Sequence, residues 1–279
     1  MKKRRIIIIL CVTALLITVL GIAARDTKSF KNTEYTVNDK NLPAGFDGFK
    51  IAMVSDLHNA TFGEGNSKLL SALEKAEPDI IAITGDLVDS SHTDLSVALD
   101  FAEKSVKIAP SYYVSGNHEA WLSEEGYEAF IAKLKATGVT VLTDEKTDIV
   151  HSGDTITLAG VSDPDFADAD YIFESKVGHL TEDSELYTLL LSHRPEFFDV
   201  YHQCGVNLVL SGHTHAGQIR LPLIGTFIAP GQGFFPEYDK GIFIEDDTTM
   251  IVSAGLGNSV IPFRFCNQAE LVIITLKST

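Results

Sequence analysis

The sequence predicts an α/β domain of mixed sheets covered by helices, carried behind an N-terminal helix of membrane length. Three observations predict it. From Lys50 to Leu142, strand-length apolar runs alternate with helix-length amphipathic runs, the pattern of βαβ units with right-handed crossovers. From about residue 148 strand-like runs predominate, and no polar linker divides the two halves, so one domain is expected. Ile6 to Ala24 contains no charged residue; as a helix it measures about 28 Å, close to the roughly 30 Å hydrocarbon core of a bilayer.

Residues 1–5 form a basic segment, Lys2-Lys-Arg-Arg5, that the positive-inside bias keeps in the cytoplasm. Residues 6–24 are a transmembrane anchor, or a signal peptide cleaved after Gly21-Ile-Ala23 or Ile22-Ala-Ala24. A secretory apolar region is usually about 7 to 15 residues, so the length favours the anchor. Both readings export the chain beyond Arg25. Arg4-Arg5 is a weak twin-arginine signal with so apolar a segment behind it, and Cys11 has no small residue before it to mark a lipidation site. Residues 25–45 are polar and hold Pro43 and Gly45, which predicts a linker with a short strand around Tyr35 to Val37. Strands are then predicted at 50–54, 79–83, 112–114 and 139–142, with helices at 67–77, 95–108 and 124–136 between them. The second half predicts strands at 156–161, 186–191, 208–210, 242–244, 250–253 and 271–276, and one clear helix at 195–202.

The composition is that of a globular protein, 45% apolar. Setting aside the four basic residues at the start leaves 18 Lys and Arg against 38 Asp and Glu, a net charge of −20. Such a surface repels nucleic acid and anionic lipid headgroups at long range. A phosphate-bearing substrate must therefore be attracted locally, by metal ions or a small basic pocket. Only Cys204 and Cys266 lie outside the apolar segment; one bridge between them is open, but no disulfide framework exists.

Five of the strand-like runs end alike. Ile51-Ala-Met-Val is followed by Ser55-Asp-Leu-His58, Ile80-Ile-Ala-Ile-Thr by Gly85-Asp86, and Tyr112-Tyr-Val-Ser by Gly116-Asn-His-Glu119. Leu189-Leu-Leu-Ser leads to His193, and Leu208-Val-Leu-Ser-Gly to His213-Thr-His215. Singly, such residues serve as turns, caps or satisfied core histidines. Together they are carboxylates and imidazoles converging on one sheet edge, which is costly unless a cation satisfies them. Asp56, His58, Asp86, Asn117, His193, His213 and His215 make seven donors, too many for one tetrahedral zinc but suited to two divalent ions about 3.5 to 4 Å apart that share a carboxylate. Two aspartates against two dications leave a net charge of about +2, which favours an anionic phosphate over a neutral carbonyl substrate. His92, His151, His179 and His202 follow no such strand end and are expected to be surface or core residues.

The ordered set Asp56-Leu-His58, Gly85-Asp86, Gly116-Asn-His-Glu119, His193 and Gly212-His-Thr-His215 resembles the calcineurin-like metallophosphoesterases over roughly residues 46 to 276. Ala216-Gly-Gln-Ile-Arg-Leu-Pro222 and Ser253-Ala-Gly-Leu-Gly-Asn-Ser259 are similar to its bacterial exported or membrane-anchored branch. The resemblance implies a four-layer α/β/β/α sandwich spanning a catalytic domain at 46–279. It also implies one metal on Asp56, His58 and His215, a second on Asn117, His193 and His213, and Asp86 between them. His118 would assist at the substrate phosphate rather than ligate; Glu119 stands where many relatives have Asp. The chemistry expected is in-line attack on phosphorus by a water activated between the two ions, which are manganese, iron or zinc. Arg194 and Arg264 are expected in salt bridges with the acidic chain, so no residue is assigned to substrate binding.

Gly-x-Ser-x-Gly is absent, and His118-Glu-Ala-Trp-Leu122 lacks the second histidine of a zincin. The expected function is a phosphodiesterase acting on a phosphodiester or pyrophosphate-linked component of the cell envelope, held on the outer face of the membrane. The alternatives are a general phosphomonoesterase and a metal-holding binding domain without catalysis.

Overall fold

The computed structural model describes residues 2–279 other than 92–93, 167–169, 183–184, 222–223 and 260. His92 therefore lies outside the described residues. The chain opens with helix α1 (Lys2–Lys28), whose apolar side chains are exposed along its length. Its uncharged run, apolar all round and exposed, is suited to lipid, while its last turn meets the domain.

The first sheet takes strands β1 (Phe30–Asp39), β2 (Lys50–Val54), β3 (Ile80–Thr84), β4 (Ser111–Val114) and β5 (Thr140–Val141) from the first half of the chain. Helices α2 (Ser67–Ala76), α3 (Ser96–Ser105), α4 (Asn117–Ala120) and α5 (Glu124–Ala136) lie between them in sequence. The second half supplies β6 (Glu145–His151), β7 (Asp154–Gly160), α6 (Asp170–Thr181), β8 (Thr188–Leu191), α7 (Phe198–Gln203) and β9 (Leu208–Ser211). Two short hairpins come next, β10 (Arg220–Leu221) with β11 (Gly225–Thr226) and β12 (Ile228–Ala229) with β13 (Gly233–Phe234). The chain closes with β14 (Gly241–Glu245), β15 (Thr248–Val252) and β16 (Ala269–Ser278).

These strands form two six-stranded sheets, ordered β1-β16-β2-β3-β4-β5 and β14-β15-β9-β8-β7-β6. Period-2 alternation on strands buried on both faces sends neighbouring residues into different cores. Ile81 and Ile83 of β3 pack with Leu69, Phe101 and Phe130 of the helices, while Ile80 and Ala82 pack with Leu189, Leu208 and Leu210 of the other sheet. On the far side, Val209 and Leu190 meet Phe173, Val177 and Tyr201 of α6 and α7. Three apolar cores thus separate four layers, α/β/β/α. The sheets approach closely at Gly160, where a Cβ would press on Leu142 and lie 2.6 Å from Val114 Cγ1.

Besides the short helix α4 and the strands β10 to β13, which were not expected, three longer elements depart from the sequence expectation. Residues 25–45, read as a linker, contain the ten-residue strand β1, paired in parallel along its whole length with β16. As an edge strand it faces solvent through Lys31, Glu34 and Asn38, and this polar half masks its pattern. Helix α6 was not expected, although Phe173, Val177 and Leu180 recur at helical spacing and are buried. Strand β6 was also missed, because Glu145-Lys-Thr-Asp148 reads as a loop; it is the outer strand of its sheet. Cys204 and Cys266 are not bonded to each other. His151 packs on Phe46 and Phe49, while His179 and His202 reach solvent.

Strands β2, β3 and β4 run parallel, and so do β7, β8, β9 and β15. The carboxyl ends of both groups open at one edge of the sandwich, where α/β sheets place their ligands.

Candidate metal centre

The chain leaves β2, β3 and β9 through left-handed turns. Asp56, His58, Asp86, His213 and His215 have φ of 51°, 44°, 53°, 69° and 49°. Non-glycine residues rarely adopt this region, and a cluster of five at one edge marks a functional site. Backbone hydrogen bonds tie the loops together: Asp56 N–H donates to Gly85 O at 3.1 Å, His58 N–H to Asp86 O at 2.9 Å, and Gly212 N–H to His193 O at 3.2 Å. Gly116 is held so close that a Cβ there would fall on the Asp86 carboxylate.

All seven expected donors are buried here. His58 Nε2 and His215 Nε2 are 3.0 Å apart, and His215 Nε2 is 3.5 Å from Asp56 Oδ1. On the other side His193 Nε2 lies 3.1 Å from Asn117 Oδ1 and 3.2 Å from His213 Nδ1. Asp86 Oδ2 sits between the two groups, 3.5 Å from His58 Nε2 and 3.3 Å from His193 Nε2. Two nitrogen and oxygen clusters that share a carboxylate suit a pair of divalent cations.

The electrostatics prepare the imidazoles. Burial holds His58 down to about 4 and keeps His213 and His215 well below the usual histidine range, so these three are neutral at pH 7, the form in which imidazole ligates a cation. Burial opposes charge on His193 too, but the Asp86 carboxylate, by its charge and a hydrogen bond, lifts His193 to about 10. His193 Nδ1 lies 2.8 Å from the Thr84 carbonyl, which can only accept, so Nδ1 keeps its proton, and the Nε2 proton that faces Asp86 is the one a cation would displace. Burial, with the nearby Asp86 charge adding to it, raises Asp56 to about 6.

His118 lies beside these clusters, its ring 4.4 Å from that of His58. Its Nδ1 accepts from Ser90 N–H at 3.2 Å and is 3.7 Å from Asp89 Oδ1, while Nε2 faces Ser259 Oγ at 3.5 Å. A backbone donor on Nδ1 puts the proton of the neutral ring on Nε2, the side open to a leaving group. Asp89 was not found from the sequence, since it lies several residues past its strand and carries no strand-end signal. Nor was the part played by Glu119. Its carboxylate is fully buried and accepts from the N–H groups of Gly116 (2.7 Å), Asp86 (2.8 Å) and Val88 (3.1 Å). It staples the Asp86 loop to the Asn117 turn; a Glu three residues after a helix N-cap is the signal that could have shown it.

Arg194 is engaged as expected, its guanidinium on Asp163 at 2.7 and 2.9 Å and on Asp165 at 2.9 Å. Arg264 is not. No carboxylate lies within ion-pair distance of it among the described residues; it is fully buried, donates to the Gly257 carbonyl, and places Nη2 3.3 Å from His215 Nδ1.

A model of the family described as calcineurin-like phosphoesterase matches residues 49–217, more than half of the chain and every one of the seven donors. The chain belongs to the calcineurin-like phosphoesterases. As a member of this family it is a metal-dependent phosphoester hydrolase, and its histidine and aspartate clusters fit a dimetal site. The uncharacterized metallophosphoesterase YkuE of Bacillus subtilis (strain 168) is 32% identical over 89% of this chain and 86% of its own length. An uncharacterized metallophosphoesterase of Aquifex aeolicus (strain VF5) is 30% identical over 90% of this chain and 94% of its own. A transmembrane protein with metallophosphoesterase domain from Danio rerio is 27% identical over 98% of this chain, which spans 63% of that relative. The crystal structure of TT1561 of Thermus thermophilus shares the calcineurin-like phosphoesterase's fold, with a TM-score of 0.51 over 75% of this chain and 90% of that one at 15% identity.

Proposed function

We propose that this calcineurin-like phosphoesterase is a binuclear phosphodiesterase acting on a phosphodiester or pyrophosphate-linked component of the cell envelope. The observation that supports it most is the placing of Asp86 Oδ2 between an Asp56/His58/His215 cluster and an Asn117/His193/His213 cluster. In this reading Asp56, His58 and His215 would hold one divalent ion and Asn117, His193 and His213 another, with the Asp86 carboxylate within reach of both. Bound there, the ions would supply activation of water and stabilisation of charge on the phosphoryl oxygens. The chain's own residues do the rest. Thr84 O holds His193 with Nε2 towards the site, Glu119 fixes the Asp86 loop against Asn117, and His118, taking up a second proton on Nδ1 beside Asp89 and Ser90 Oγ, gives its Nε2 proton to the leaving oxygen and is left neutral.

Diester preference rests on what surrounds the clusters. A dianionic monoester needs a further cation for its second charge; Arg194 is paired with Asp163 and Asp165, and Arg264 lies fully buried behind His215, donating to Gly257 O, rather than open to a substrate. At saturating manganese, a bis-aryl phosphodiester is expected to be cleaved with the higher kcat/KM in a side-by-side comparison with an aryl phosphomonoester. A clear preference for the monoester would make the protein a general phosphomonoesterase and leave the metal centre as described.

The same reading puts the domain outside the cytoplasm, because Lys2–Arg5 precede the span and the domain lies beyond it. Protease added to intact cells is then expected to remove the domain. Protection until the membrane is breached would reverse the orientation, and a mature chain beginning near Ala24 would replace the anchor by a cleaved signal.

A further inference from the structure

Helix α1 does not end in a free tether. Thr27 is three residues, roughly 5 Å of helical rise, past Ala24, the last residue of the uncharged run. Its Oγ1 accepts from Arg264 N–H at 2.9 Å, and the fully buried Asp26 accepts from Asn267 N–H at 3.1 Å. The strap 261–267 continues inward. Asn267 Nδ2 donates to His215 O at 2.7 Å, Phe265 N–H to Gln218 O at 3.1 Å, and Gln218 Nε2 to Ile261 O at 2.6 Å. The span is thereby hydrogen-bonded, through one short strap, to the loop that carries His215.

Between that strap and the hairpin β12–β13 lies a cavity of about 350 Å³ whose walls are largely apolar, formed by Ile228, Ala229, Pro230 and Ile261 with Gln218, and bordered by His215 itself. Outside it the hairpin presents an exposed aromatic cluster. Phe234 and Phe235 are 65% and 66% exposed, and both rings pack on Phe227 at 5.2 Å; Phe263, next to the anchored Arg264, is exposed as well. Contiguous apolar surface of this kind marks an interaction site, and aromatic rings gather at the level of lipid headgroups. The charge distribution agrees. In a chain with 38 acidic residues, none occurs between Asp199 and Glu237, nor between Asp247 and Glu270, the two stretches that build this face.

We propose that the cavity is the hydrocarbon subsite of the phosphoesterase centre: it takes the lipid chain of a phosphate ester lying in the leaflet from which α1 emerges, while Phe227, Phe234, Phe235 and Phe263 sit in that leaflet's interface. The occupant is lipid rather than a second protein because the span is bonded to the cavity's own strap, which sets this face at the bilayer surface. The proposal rests on the phosphodiesterase reading and names its substrate as an amphiphile whose phosphate reaches the metal clusters past His215.

The test uses the full chain, loaded with manganese in phosphatidylcholine nanodiscs, and 4-nitrophenyl alkyl phosphodiesters from methyl to octyl below their micellar concentrations. A buried methylene is worth a factor of about four in binding, so kcat/KM is expected to rise at least a hundredfold from methyl to octyl. Enrichment in the bilayer also grows with chain length but is the same for every variant. The deciding quantity is therefore the octyl-to-methyl ratio, expected to fall at least tenfold in Ile228→Ser and in Ile261→Ser. A ratio unchanged in both variants, or a parent ratio within about threefold of one, would overturn the subsite while leaving the phosphodiesterase reading intact. If no ester of the series is cleaved, that reading fails, and binding decides the inference: octyl phosphonate held at least a hundredfold more tightly than methyl phosphonate supports the subsite, and equal binding removes it. A dimer dissociated by Phe234→Ser with the ratio unaffected would give this face to a second copy of the chain.

Discussion

Asp86→Asn is expected to bind one divalent ion or none where the parent binds about two, and to lose on the order of a thousandfold or more in phosphodiester turnover, since both ions act on the same phosphoryl group. The substitution isolates charge from shape. Asparagine tolerates the left-handed φ of 53° at this position, and its side-chain oxygen can still accept from His118 N–H, which lies 2.9 Å from Asp86 Oδ1. What is lost is the negative charge on Oδ2, the atom 3.3 and 3.5 Å from His193 and His58. With one carboxylate left to face two dications, the site's net charge rises from about +2 to about +3, and mutual repulsion of the ions expels at least one. Metal analysis of the purified variant beside the parent measures this. A full complement in the variant would remove Asp86 from the bridging role.

His118→Asn is expected to keep both ions and still lose about a hundredfold or more in turnover, a usual contribution of a general acid. The loss should depend on the leaving group. A poor alcohol leaving group needs the proton from Nε2, whereas 4-nitrophenolate departs with little help, so the deficit should shrink as the leaving group improves. The geometry supports this split, because Asp89 and Ser90 Oγ lie on the Nδ1 side and can accept from a proton held there, while Nε2 points to the open side by Ser259. Loss of metal together with rate would make His118 a ligand. A deficit independent of the leaving group would make it a positioning residue, and near-normal turnover a structural one.

The parts of the fold that rest on buried apolar periodicity were legible in the sequence. Strands β2, β3, β8 and β9 are nearly unbroken apolar runs because both of their faces are covered, and each stops where the chain must turn out of the sheet. Edge elements were not legible. Strand β1 gives one side to solvent, and its ten-residue parallel pairing with β16 depends on a partner more than two hundred residues away, which no local pattern records. The convergence of the seven candidate side chains was legible because they come directly after strand ends. Glu119, Asp89 and Arg264 act by satisfying other groups, and residue type and spacing do not report a partner brought up from elsewhere in the chain. Arg264 shows the limit most plainly: an arginine in so acidic a chain is expected in a salt bridge, yet it is spent on a carbonyl and an imidazole in the strap that meets α1.

The central claim, two cations held side by side at the joined edges of the two sheets, is tested most directly by anomalous diffraction from crystals of the protein grown with manganese. Two anomalous peaks about 3.5 to 4 Å apart are predicted, one against Asp56, His58 and His215, the other against Asn117, His193 and His213, with the Asp86 carboxylate touching both. A single peak, or two peaks that do not share Asp86, would contradict the account.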